Sequence, residues 1–213
     1  MPLRDGRRDP VFNAMPPAVL LLAAGIILSA VSEYVLPDAG RWIYAASVLI
    51  EPGPGQPVPS QPLGPYAPYL LHVFIHFGLF HILMNLAILI SAGRSVGMAF
   101  GTGMKGSVGF LLLFFACSVI GAVTQVLFHS GEPMVMGGAS TGVSGLIAAA
   151  GWVMGGWRGM ARLSLPWIGL NLVLAFAGMA FPMPLAWAGH LGGTVAGIIL
   201  TPVLLGLFSE HEL

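Results

Sequence analysis

The sequence predicts an all-α, polytopic membrane protein, a bundle of six transmembrane helices, on two observations. The first is composition: of 213 residues, 56% are hydrophobic and 8% are charged, with a mean hydropathy of +0.88. A water-soluble fold of this size would lack the polar surface to cover itself. The second is spacing. Six runs approach the roughly 20 apolar residues that a helix needs to cross hydrocarbon. Backbone polar groups at membrane depth must be bonded internally, which leaves a helical bundle as the class these runs allow.

The elements follow in order. Residues 1–17, with Arg4, Arg7 and Arg8, read as a cytoplasmic tail ahead of a membrane domain over residues 18–208. The first run is Ala18 to Leu36. Ala30-Val31-Ser32 loosely resembles a signal-peptide cleavage site, but the run is longer than a signal core and no disulfide framework follows, so it is read as a retained helix. Residues 37–68 are expected to form an outer loop resting on the membrane. Seven prolines between Pro52 and Pro68 work against regular helix there, and Trp42, Tyr44, Tyr66 and Tyr69 suit the headgroup layer. Further runs cover Tyr69 to Ser91, Gly106 to Phe128, Ser140 to Gly156, Pro166 to Phe181 and Trp187 to Phe208, before a cytoplasmic tail at 209–213. The fourth and fifth are short and rich in Gly and Ala, which suits central positions shielded by the others.

Charge sets the expected orientation. With the N-terminus in the cytoplasm, Arg4, Arg7, Arg8, Arg94, Lys105, Arg158 and Arg162 all fall on the cytoplasmic side, leaving Arg41 outside with Asp38, Glu51 and Glu132. Net charge is zero, so nothing points to nucleic acid as a partner. The lone Cys117 has no internal disulfide partner and reads as a small packed residue. His72 and His129 near the outer interface, and His211 in the tail, read as solvated. Trp152, Trp157, Trp167 and Trp187 read as interfacial anchors.

Two polar islands interrupt this pattern, Gly137-Gly138-Ala139-Ser140-Thr141-Gly142-Val143-Ser144-Gly145 and Ala186-Trp187-Ala188-Gly189-His190-Leu191-Gly192-Gly193. They supply what acyl transfer inside a membrane needs, a nucleophile and a base. Ser140 opens the fourth helix after a glycine-rich turn, where free N–H groups and the positive end of the helix dipole favour an oxyanion. Ser144, Ala148, Gly151 and Gly155 form one small-residue face, and His190, Gly193 and Gly197 form another. Packing of the two would bring His190 to Ser140. On the second helix, His81 and Asn85 share a face as two neutral donors suited to an oxyanion, and His76 lies one and a half turns nearer the outer surface. Taken singly, each motif also fits a capping serine, tight helix packing or a histidine that joins helices. Thr124, Gln125 and Asn171 read as interhelical hydrogen-bond partners.

Taken together, His76, His81 and Asn85, then Gly138-Ala139-Ser140, then Gly189-His190-Leu191-Gly192-Gly193, resemble the rhomboid intramembrane serine proteases. The resemblance covers residues 18–208 and includes the Gly93-Arg94-Ser95-Val96-Gly97 turn. It implies a six-helix rhomboid-like bundle that hydrolyses peptide bonds in or near transmembrane segments of other membrane proteins. Ser140 would be the nucleophile and His190 the general base of a dyad, with His81, Asn85, Gly138 and His76 around the oxyanion and substrate. No cofactor or metal is implied. The expected partners are transmembrane protein substrates and the bilayer, and the expected place is a bacterial inner membrane with the site open outward.

The sequence departs from the family at Thr141, where glycine is usual, and Gly142-Val143-Ser144-Gly145 fits the bare Gly-x-Ser-Gly pattern one turn later. Register favours Ser140, because Gly145 and Leu146 follow it at the family's spacing, whereas Ala149 and Ala150 occupy those places from Ser144. Thr141 is expected to narrow the oxyanion site. Gly189 stands where alanine is commoner, and Gly97 replaces a frequent glutamate. The alternative is a non-catalytic rhomboid-like protein that binds membrane clients, although such relatives typically lack the serine or histidine. A metalloprotease is disfavoured by the lack of a His-Glu-x-x-His motif, and a transporter by the scarcity of ionisable residues along the later helices.

Overall fold

The computed structural model describes residues 15–53, 55–129, 133–180 and 186–210. Most of the N-terminal tail with its three arginines, Glu132, Phe181 and His211 lie outside the described residues. The elements are α1 Pro17–Val35, α2 Pro37–Ser47, β1 Leu49–Glu51, α3 Ala67–Leu71 running into a 3₁₀ turn His72–Phe74, α4 Leu79–Phe100, α5 Met104–Phe128, β2 Met134–Met136, α6 Ser140–Ala180 and α7 Trp187–Phe208. Five of these helices, α1, α4, α5, α6 and α7, are long and apolar enough to cross a membrane.

Proline and glycine punctuate the helices. α1 opens on Pro17, whose missing N–H costs nothing at a first helical position, and ends before Pro37. α4 is bounded by Gly78 and Gly101, at φ 102° and 107°, a conformation that favours glycine.

The outer loop is more structured than expected. Its first third is the helix α2, which starts on Pro37 and carries an Asp38–Arg41 ion pair on its exposed side. The prolines that prevent helix begin only at Pro52. Next, β1 pairs antiparallel with β2, Leu49 opposite Met136 and Glu51 opposite Met134. This pairing ties the loop to the segment just before Ser140. The second apolar run also differs: α3 and the 3₁₀ turn occupy its start, and a bend over 75–78 separates them from α4. His76 therefore sits in the bend and not on the helix, because Gly78 stops the helix from extending further back.

The fourth and fifth runs are joined more closely than expected. Continuous α-helix over the 41 residues of α6 would be about 60 Å long and would hold Ser144 and Trp167 about 35 Å apart. Instead Trp167 Nε1 donates to Ser144 Oγ at 3.1 Å. Gly155 and Gly156 leave helical geometry, Gly156 at φ 57°, and the chain folds back into a hairpin with Gly151 against Gly159. The returning half resumes just after Gly156 and takes Pro166 into its interior, so it does not wait until Pro166 to begin.

The core is centred on α5, α7 and the first half of α6. Phe110, Leu113, Phe114 and Cys117 of α5 are fully buried. A Cβ on Gly197 would lie 2.5 Å from the Gly145 carbonyl, so α6 and α7 meet there without side chains between them, and a Cβ on Gly145 would lie 2.6 Å from Cys117 Cβ, so the α5 side chain packs directly on the α6 backbone. The α7 stripe of His190, Gly193 and Gly197 does pack on α6, but against Thr141 and Gly145. The expected Ser144 and Gly151 positions face the other half of the hairpin, which occupies that side. Gln125 accepts a hydrogen bond from Gly189 N at 2.9 Å across the α5–α7 contact. Thr124 instead bonds to the Ile120 carbonyl of its own helix. His72 is fully buried, contrary to the expected solvated role: α3 and the 3₁₀ turn bring it inside, where its ring bonds to Pro68 O at 3.1 Å and to Thr141 Oγ1 at 3.2 Å.

Candidate active site

β2 ends at Met136, and Gly137-Gly138-Ala139 turns the chain into α6 at Ser140. Gly138 has φ 119°, and a Cβ there would stand 2.7 Å from the His81 ring and 3.7 Å from Ser140 Oγ. Glycine is needed at this position for both reasons. The turn is held from both sides: Gly138 N donates to the His72 carbonyl at 2.9 Å, and Ala139 N reaches His76 Nε2 at 3.5 Å. As the first residue of α6, Ser140 offers one of the backbone N–H groups that a helix leaves unbonded.

His190 occupies the fourth position of α7 and is buried. Its Nε2 lies 2.8 Å from Ser140 Oγ, so α6 and α7 bring together two residues that are fifty positions apart. Its Nδ1 lies 2.7 Å from Asn171 Oδ1 on the returning half of α6. Asn171 Nδ2 donates to the Trp167 carbonyl at 2.8 Å. The Trp167 ring lies 5.9 Å from the His190 ring, tilted at 39°. Its indole N–H bonds to Ser144 Oγ, whose hydroxyl donates to the Ser140 carbonyl at 2.7 Å. The Ser144 hydroxyl is therefore committed to holding the hairpin.

From the bend before α4, Phe77 N donates to His81 Nδ1 at 3.4 Å, which leaves the ring proton on Nε2, the nitrogen facing Gly138. Phe77 also stacks on His81, with ring centroids 6.2 Å apart. His76 packs against the same ring at 5.0 Å. Asn85 is buried and donates to the His81 carbonyl at 2.9 Å, while its Oδ1 has no partner among the described residues. Among the described residues, no group of three or more His, Cys, Asp and Glu side chains is arranged to hold a metal ion.

Thr141 does not narrow this site. It is fully buried, with its hydroxyl on His72 and its methyl against Gly121 and Gly189, so the β-branched side chain fills space between α5 and α7. Trp167 walls the site, with its ring against His190 and its indole N–H on Ser144. It and the Asn171 contact escaped the sequence reading as site features. The available signal was a tryptophan and an asparagine four residues apart on one apolar helix, the asparagine being a polar group that needs a partner at membrane depth.

The fold and this site define a class. The rhomboid domain matches residues 64–207, more than half of the chain, and the protein belongs to the rhomboid family of membrane proteins. It is also similar to the rhomboid protease GluP of Bacillus subtilis (strain 168), with 27% identity over 139 residues. That alignment takes in 63% of this chain and 25% of the relative, so the chain spans only about a quarter of that protein's length.

Proposed function

We propose that the protein is an intramembrane serine endopeptidase that hydrolyses peptide bonds in or near transmembrane segments of other membrane proteins. The observation that carries this reading is the 2.8 Å contact of His190 Nε2 with Ser140 Oγ inside an otherwise apolar bundle. His190 takes the hydroxyl proton as Ser140 Oγ attacks the scissile carbonyl, then gives it to the departing amine to leave an acyl-enzyme. Water, deprotonated by His190, attacks the ester. The tetrahedral intermediate then collapses to the free acid, and the proton returns to Ser140.

The oxyanion in each step is held by Ser140 N–H, His81 Nε2–H and the second N–H of Asn85, each donor worth about 3 kcal/mol in comparable sites. Gly138 leaves room for His81 beside the reacting carbon, and His76 braces the turn through Ala139 N–H. Counting the α6 hairpin as two crossings, the domain over residues 18–208 crosses the membrane six times. The distribution of basic residues supports cytoplasmic termini and an outward-facing site, and the similarity to a Bacillus subtilis protein supports placement in a bacterial inner membrane.

The test is cleavage of a model transmembrane substrate in detergent by wild type, Ser140→Ala, Ser144→Ala and His190→Ala. Loss with Ser140→Ala and His190→Ala, and retention with Ser144→Ala, is the expected outcome. Loss only with Ser144→Ala would move the nucleophile. A wild type that binds substrates without cutting them would make this a client-binding member of the family.

A further inference from the structure

We propose that Asn171 is a positioning residue that makes the pair a Ser140–His190–Asn171 relay, an inference resting on the reading of Ser140 and His190 as the catalytic pair. A neutral imidazole carries its proton on either nitrogen, and only the form with a bare Nε2 can accept the serine proton. The hydrogen bonds around Asn171 select that form. Trp167 O can only accept, so the Asn171 amide group bonded to it at 2.8 Å is the NH₂. The atom 2.7 Å from His190 Nδ1 is therefore Oδ1, an acceptor, and Nδ1 must carry the proton. Nε2 is left with its lone pair directed at Ser140 Oγ.

The chain of bonds closes on itself. Trp167 Nε1 holds Ser144 Oγ, and Ser144 Oγ holds the Ser140 carbonyl, so the nucleophile and the group that orients its base are joined through the same hairpin. Asn171 is fully enclosed, and a neutral amide there avoids the desolvation cost that a carboxylate would meet at membrane depth. In turn, the amide dipole steadies the imidazolium that forms when His190 takes the proton.

The experiment compares wild type with Asn171→Leu, which removes the acceptor at similar volume, and with Asn171→Asp, which keeps it. Three readouts apply: the rate at which a fluorophosphonate probe labels Ser140, kcat and KM on the model substrate, and the ¹⁵N resonances of the His190 ring. Asn171→Leu is expected to slow labelling and kcat by about 10- to 100-fold, below the roughly 10⁴-fold cost known for a wholly misdirected base. KM should stay within about two-fold, and the ring should become a mixture of tautomers. Asn171→Asp should keep the Nδ1–H form and label several-fold faster than Asn171→Leu. Wild-type labelling by Asn171→Leu, or an unchanged nitrogen pattern in it, overturns the proposal. If Asn171→Leu does not fold, the Asp variant decides alone, and loss of the Nδ1–H form there refutes it. A wild type that neither labels nor cuts, yet loses its Nδ1–H form in Asn171→Leu, would sink the protease reading and leave the tautomer assignment standing.

Discussion

The two halves of the α6 hairpin have similar hydropathy but different surroundings. The first half, from Ser140 to Met154, is buried along most of its length, with Gly145 against the Gly193 and Gly197 backbone of α7 and Gly142 against the Phe114 and Ser118 side chains of α5. The returning half is largely exposed, with Leu165, Val173 and Phe176 turned outward and Ser164 and Asn171 buried on its inner side. The first half holds Ser140 to tight tolerance, and the second covers it and supplies the partner of His190. The difference shows that an apolar run does not by itself reveal whether a helix is central or peripheral. Glycine at the contact positions marks the central one.

The largest expected effect is at the site itself. Ser140→Ala and His190→Ala should each lower kcat by at least about 10⁴-fold in the folded, detergent-solubilised protein. Equal loss from any residue on the exposed side of the returning half would break the contrast between the halves. The next effect is a matched pair of glycines. Gly145→Val drives a side chain into Cys117 and the Gly193 carbonyl and should destabilise by about 3 kcal/mol or prevent folding. Gly169→Ala, with open space around it, should gain up to about 1 kcal/mol from helix propensity. Similar melting temperatures for the two would show that the halves are equally packed.

Smaller still is Ser144→Ala, which removes the bonds to Trp167 and the Ser140 carbonyl. It should cost about 1–2 kcal/mol in unfolding measurements while leaving cleavage within about ten-fold of wild type. Smallest is Phe176→Ala on the outer face, expected within about 0.5 kcal/mol of wild type. A larger loss there would mean that another surface covers that face.

The sequence carried much of the fold and most of the candidate site. The sixth run matches α7, and the first and third lie within two residues of α1 and α5, because long apolar segments leave few alternatives in a membrane. The closeness of Ser140 and His190 was legible from two small-residue stripes that could only pack tightly. The stripe pairing itself was off by one position, since Thr141 and Gly145, not Ser144, meet α7. That shift was hidden because the hairpin is created by backbone angles at Gly155 and Gly156, which composition does not specify. His72 was misread for a related reason: its burial depends on the bend before α4, a contact between segments 69 residues apart.

By itself the sequence determined the class of environment, the order of the spanning segments and the residue types able to perform acyl transfer. These follow from local quantities, hydropathy over a helix length and the chemistry of each side chain. Only the tertiary structure decided that Thr141 turns into the core, that Trp167 walls the site, and that Asn171 meets His190. Those contacts depend on how two helical faces are rotated about each other. That rotation is set by close packing among all the helices at once, which no single segment encodes.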